Sequence, residues 1–170
     1  MDEMEIKEVY ALFGLTVYLI QCFERQLAIT LAAVCLSDPD DVSREQYDAL
    51  LGTNFKKTLG QLFHKMKDDV HITVEVKEEI EASLRLRNFL IHNYFWTRAI
   101  LFKSSSGRQT MLQELTDACN IFQEADSKLE KITKEWGKKR GVTEQNYAEE
   151  LEKLLKLDDA ESIKDKPSWL

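Results

Sequence analysis

Proline and glycine are scarce. Only Pro39, Pro167 and six glycines occur in 170 residues, so the whole interval between the two prolines holds no residue that forbids helix. Cysteine is equally sparse: Cys22, Cys35 and Cys119 are odd in number and form no C-x-x-C pair, which points to reduced thiols in a cytoplasmic setting and away from a disulfide scaffold. The three histidines, His64, His71 and His92, have no cysteine at ligand spacing, so no metal site is expected. Excess positive charge is missing too. With 23 Lys+Arg against 30 Asp+Glu the chain carries -7, which excludes a protein that coats nucleic acid by charge alone. No G-x-x-x-x-G-K-[ST], G-x-G-x-x-G or H-E-x-x-H string is present, and neither phosphate-loop nor zincin chemistry is expected; no cofactor is implied.

Membrane and export signals are weak. The start, Met1-Asp2-Glu3-Met4-Glu5, is acidic where a secretory leader would be basic. The apolar run from Val9 to Phe23 ends at Glu24-Arg25 after 15 residues, short of the roughly 18 a span requires. It reads as a core helix, with no membrane partner.

What is present is helical periodicity. Ile6, Val9, Tyr10, Phe13, Val17, Ile20, Leu27 and Leu31 recur at helical spacing and predict a central helix from about residue 3 to 36. Ser37 to Asp41 is a turn cluster, and Ser43 followed by Gln46 is a capping-box signature for a second helix to about residue 67. A third is expected from near Glu75 to about Phe102, a loop at Ser104-Ser105-Ser106-Gly107, and a fourth helix carrying Met111, Leu115, Phe122 and Leu129. Gly137 and Gly141 bracket Lys138-Lys139-Arg140 at its end, and a shorter helix from about residue 143 to 157 follows. The expected fold is all-α, an antiparallel bundle of four to five helices forming a single domain over 1–157, with a polar tail at 158–170.

Charge is unevenly distributed. Residues 56–108 hold ten Lys/Arg against six Asp/Glu, a net of +4, whereas the remainder has 13 against 24, a net of -11. Lys56, Lys57 and Arg85 in that interval are candidate phosphate contacts. On the third helix Val76, Ile80, Leu84, Ile91, Tyr94 and Phe95 fall in a stripe roughly 100° wide, and Arg87 falls inside it. A guanidinium among core positions demands an anion, either an internal carboxylate or an external phosphate. His92 lies about 140° around the helix from Arg87, with Asn88 about 40° from His92. One helix aligns them poorly; a second copy about a two-fold axis would gather both sets in one cleft.

The string Arg87-Asn88-Phe89-Leu90-Ile91-His92-Asn93-Tyr94 resembles the R-[polar]-x-x-x-H signature of the HEPN superfamily and the R-x-x-x-x-H-x-Y form of HepT-like toxins. The resemblance implies a helical bundle that dimerises about the motif helix and a metal-independent endoribonuclease leaving a 2',3'-cyclic phosphate. It casts Arg87 and His92 as the essential pair and Asn88 as an orienting group. It makes Tyr94 the position at which a partner nucleotidyltransferase antitoxin would attach nucleotide. The residues permit such chemistry, since RNA carries its own 2'-hydroxyl nucleophile, an imidazole can move its proton, and a guanidinium can hold phosphate oxygens. A reading of another class stays open: a non-catalytic helical dimer or adaptor in which Arg87 and His92 serve an interface.

Overall fold

The computed structural model describes residues 3–34, 72–139 and 141–143, together with the single positions 49, 61, 64, 145 and 152. Apart from those single positions and residue 143, the expected second helix, the short helix at 143–157 and the tail at 158–170 lie outside the described residues. Within them the chain is helical and contains no strand. The elements are α1 (Glu3–Val34), α2 (Val74–His92), the short α3 (Tyr94–Thr97), a 3-10 turn at Leu101–Lys103 and α4 (Ser105–Lys139). The chain divides into two compact units, 1–133 and 134–170, with the boundary inside α4.

In the first unit α1 and α2 run antiparallel, because Glu24 meets Arg87 while Phe13, eleven residues earlier, meets Tyr94. The α2 to α3 segment is antiparallel to α4 as well, with Glu79 on Lys128 and Arg98, which ends α3, on Glu114. The chain reverses between His92 and Ser105, so α4 recovers the direction of α1. These two long helices therefore lie parallel, matched at Glu5–Arg108, Thr16–Cys119, Phe23–Phe122 and Thr30–Thr133.

The core follows the apolar spacing. Val9, Ile20, Phe23, Leu27 and Leu31 of α1 face Met111, Leu115, Phe122 and Leu129 of α4, all at 2% exposure or less. Two threonines share this interior. Thr16 donates to the Leu12 carbonyl and lies against Cys119, and Thr30 bonds the Gln26 carbonyl and Thr133, so each buried hydroxyl is satisfied. By length and composition α1 could cross a membrane, and 22% of its apolar window is buried inside the fold. Phe122→Ala is expected to cost about 3–5 kcal/mol, the transfer loss plus the cavity facing Phe23. Urea unfolding would show it as a lower midpoint at unchanged slope.

The loop expected at residues 104–107 is the start of α4. Ser104 has extended backbone, and its hydroxyl accepts the Gly107 N–H at 3.1 Å while its carbonyl accepts the Arg108 N–H at 3.0 Å. The serine run is thus an N-cap, and the pattern Ser-x-x-Gly begins a helix where composition suggested an irregular stretch. At the other end, within the second unit, Gly141 takes φ +74. Its N–H bonds Lys138 O and the Val142 N–H bonds Gly137 O, the two-bond Schellman closure that the glycine spacing anticipates.

Candidate functional site

The motif sits at the C-terminal end of α2. Thr73 opens this helix, its hydroxyl accepting the Val76 N–H. Ile80, Ser83, Leu84 and Leu90 are its buried positions. Arg87 belongs to this inner flank, at 27% side-chain exposure, as the periodicity requires. Ile91 does not: it is 38% exposed, one residue before the helix ends at His92. The end is marked by Asn93 at φ -129, ψ -16. Its N–H closes on Phe89 O, and its own carbonyl caps the next turn by accepting the Thr97 N–H and hydroxyl. The single helix expected to residue 102 is therefore broken into α2, α3 and the 3-10 turn.

The anion demanded by Arg87 is internal. Its Nε donates to Glu24 Oε1 on α1 at 2.9 Å, and its Nη1 donates to Asn88 Oδ1 at 3.1 Å. Its Nη2 makes no hydrogen bond among the described residues. Asn88 is exposed, and one turn further His92 is also exposed, with no hydrogen bond or ion pair among the described residues. Asn88 therefore narrows the angular gap between Arg87 and His92: it bonds the first and shares a helix face with the second. The result is a polar strip on one surface of α2 with an anchored guanidinium at its inner edge and an uncommitted imidazole at its outer edge.

Tyr94 is placed differently from a site-lining residue. It is 2% exposed, packed against Phe13, Phe89 and Phe95 at ring-centroid distances of 6.0, 5.9 and 5.6 Å. Its hydroxyl donates to Met111 O at 3.1 Å. Burial, reinforced by the negative charge of Glu114, raises its pKa far above that of a free phenol. The hydroxyl is committed to the core, so transfer of a nucleotide onto it requires local opening of this cluster.

The other predicted cations divide. Arg85 is exposed and makes a 3.4 Å pair with Glu81 on its own helix, which leaves it available to solvent anions. Lys56 and Lys57 lie outside the described residues. Arg98 gives its Nε to both oxygens of Glu114 and stacks its guanidinium 5.5 Å from the Phe89 ring centre. Arg108, 3% exposed, is bound by Glu5. Three arginines of the basic interval, Arg87, Arg98 and Arg108, thus each hold a carboxylate from another helix. Sequence reasoning did not find Glu24, Glu5 and Glu114 as these partners. Glu24 carried a signal, since it falls on the α1 face of Ile20 and Leu27 by spacing alone.

Among the described residues no group of three or more His, Cys, Asp or Glu is disposed to hold a metal ion. Cys22 and Cys119 are free thiols, half-buried and buried. Comparison of the chain with protein-family models, with curated proteins and with solved structures finds no match.

Proposed function

We propose that the protein is a HEPN-like cytoplasmic endoribonuclease whose cleft is completed by a second copy about a two-fold axis. One observation carries this reading: Arg87, Asn88 and His92 form a connected polar strip in which Glu24 fixes the guanidinium and the imidazole is left free for chemistry. In the reaction His92 removes the proton of an RNA 2'-hydroxyl. The oxygen attacks the adjacent phosphorus, the bond to the 5'-oxygen breaks, and the leaving oxygen takes the proton back from the imidazolium, giving a 2',3'-cyclic phosphate. Arg87 stabilises the charge that builds on the phosphoryl oxygens, the step at which positioned donors contribute most. Asn88 holds Arg87 in register and presents its amide to the same phosphate. An antitoxin that modifies Tyr94 belongs to this proposal only through an opened form of the aromatic cluster.

The test is incubation of purified protein with total RNA in the presence of a chelator. Wild type is expected to produce fragments ending in cyclic phosphate, and His92→Ala to lose at least a hundred-fold in rate. Equal cleavage, or none from either, removes the reading. The Arg87–Glu24 pair favours a second one, a non-catalytic helical dimer for protein binding, because a guanidinium already neutralised within the fold needs no substrate phosphate. That reading expects a dimer on sedimentation and no His92-dependent cleavage.

A further inference from the structure

The outward side of α1 carries a second pattern that the core does not use. Met4, Ala11, Leu15, Tyr18, Cys22 and Ile29 fall on the alternating three- and four-residue steps of a heptad seam, and Glu8 and Arg25 fill the two remaining places in that series. At about 100° per residue these positions make a stripe roughly 100° wide. Thr16 and Phe23, which meet α4, lie about 80–100° from Leu15, and Phe13 and Glu24, which meet Tyr94 and Arg87, lie about 160–180° from it. The stripe therefore faces away from α2, α3 and α4. Met4, Leu15 and Tyr18 are 66%, 46% and 61% exposed, Ala11 is exposed, and Cys22 and Ile29 are half-buried.

The two charges of the stripe select its occupant. Glu8 is exposed with no hydrogen bond or ion pair among the described residues, and Arg25 is exposed as well. They flank the apolar segment from Ala11 to Cys22, one negative and one positive. A second copy laid antiparallel, with the two-fold axis between Thr16 and Val17, sets Glu8 opposite Arg25 of the other copy at both ends. The same register closes Leu15 on Tyr18 and Ala11 on Cys22, pairing a and d positions in every layer. A parallel pair would instead face Glu8 with Glu8 and Arg25 with Arg25. A slip of one heptad would set Glu8 against Tyr18 or Arg25 against Leu15, a charge on a largely apolar side chain. A bilayer would accept the apolar residues and leave both charges without a counterpart.

We propose that this stripe of α1 is an interface between two copies of the chain, an antiparallel two-helix seam whose register is set by Glu8 and Arg25. It is separate from the polar strip of α2, since Glu24, which holds Arg87, lies on the opposite side of α1. The seam does not rest on the ribonuclease reading. A chain that also pairs through its α2 strips has two isologous contacts and assembles beyond a dimer. Loss of the α1 seam then lowers the assembled mass without altering His92.

Sedimentation velocity of the full chain over a dilution series tests the interface. Wild type is expected to self-associate, and Leu15→Glu to weaken association about a hundred-fold with its helical circular dichroism unchanged. Glu8→Arg is expected to weaken it roughly ten-fold, and the Glu8→Arg, Arg25→Glu double variant to recover most of that loss. The register is read by oxidation. Ala11→Cys places a thiol opposite Cys22 of the other copy, so mild oxidant is expected to give a covalent dimer joined between position 11 and Cys22, as mapped by mass spectrometry. Within one chain these positions are about 16 Å apart along α1, beyond the reach of a disulfide. A chain that stays monomeric at every concentration overturns the interface, as does association that Leu15→Glu leaves unchanged. Binding of that monomer to phosphatidylcholine vesicles would assign the stripe to a bilayer instead. A wild-type dimer joined from Cys22 to Cys22, or a double variant no better than Glu8→Arg, overturns the antiparallel register. Cleavage of RNA, or its absence, changes none of these outcomes.

Discussion

Replacing Gly107 with alanine is expected to lower the melting temperature by roughly 4–8 °C, although alanine is the better helix former. Propensity alone favours the substitution by up to about 1 kcal/mol. The opposing term is larger. A Cβ at residue 107 would lie 2.1 Å from the Leu101 carbonyl oxygen and 2.6 and 2.7 Å from its carbonyl carbon and Cα, all backbone atoms that no rotamer can move. Overpacking of this kind costs about 3 kcal/mol, and at this chain length each kcal/mol is worth roughly 2–4 °C. Gly14 is the internal control: it is exposed in the middle of α1, and a Cβ there meets nothing within 4 Å. Gly14→Ala is expected to raise the melting temperature by roughly 2–4 °C. Thermal unfolding followed by circular dichroism reads both, and a shift of the same sign in the two variants would contradict this account.

The second large effect concerns Arg108. Its side chain is 3% exposed, against 16% for Glu5. The guanidinium donates to Glu5 Oε2 from Nε at 2.9 Å and from Nη2 at 2.6 Å, and to Phe102 O from Nη1 at 3.1 Å. Arginine cannot shed its proton to escape burial. Glu5→Leu therefore leaves an interior cation without its anion and is expected to lower the melting temperature by on the order of 10 °C. Arg108→Leu removes the buried charge itself and leaves a carboxylate that can reach water, so its loss should be the smaller of the two. The reverse order in thermal unfolding would show that Glu5 is the buried partner. The pair also sets a pH dependence. The Ser105 hydroxyl and the Arg108 guanidinium hold the Glu5 carboxyl below its ordinary pKa. A depressed carboxyl stabilises the fold above the unfolded value, near 4.5, and that stability is lost as pH falls through the lower folded value. Wild type should thus weaken below about pH 4.5 more steeply than Glu5→Gln.

Elements that repeat at regular intervals were legible in the sequence. The spacing from Ile6 to Leu31 predicts α1 closely, and the Gly137/Gly141 bracket marks the end of α4. Events decided by a single neighbour were not. The break at Asn93 depends on backbone angles that Asn tolerates and periodicity does not register, and the serine run reads as a loop until Ser104 is seen to cap Gly107. The site was half legible for a similar reason. Helical angles place Arg87 on the inner face and demand an anion, yet they cannot say whether that anion is on another helix. Glu24, 63 residues away, answers it. Tyr94 was identified as a motif position from one-dimensional context, whereas its burial follows from Phe13 and Met111, which only the tertiary fold brings to it. The charge asymmetry was a count along the chain, and it could not show that Arg87, Arg98 and Arg108 are each paired with a carboxylate of another helix.

The parallel pairing of α1 with α4 has a consequence for the nascent chain. Its side-chain contacts join residues 99 to 107 positions apart, from Thr30–Leu129 to Gln26–Thr133. At synthesis rates of about 5–20 residues per second, the apolar side of α1 waits roughly 5–20 seconds before its partner strip has been made. During that interval Ile20, Phe23, Leu27 and Leu31 have no α4 to cover them. The α4-facing side of α1 is therefore covered only after α2 has been made, and ribosome-bound intermediates of this protein should be clients for a chaperone that holds apolar segments.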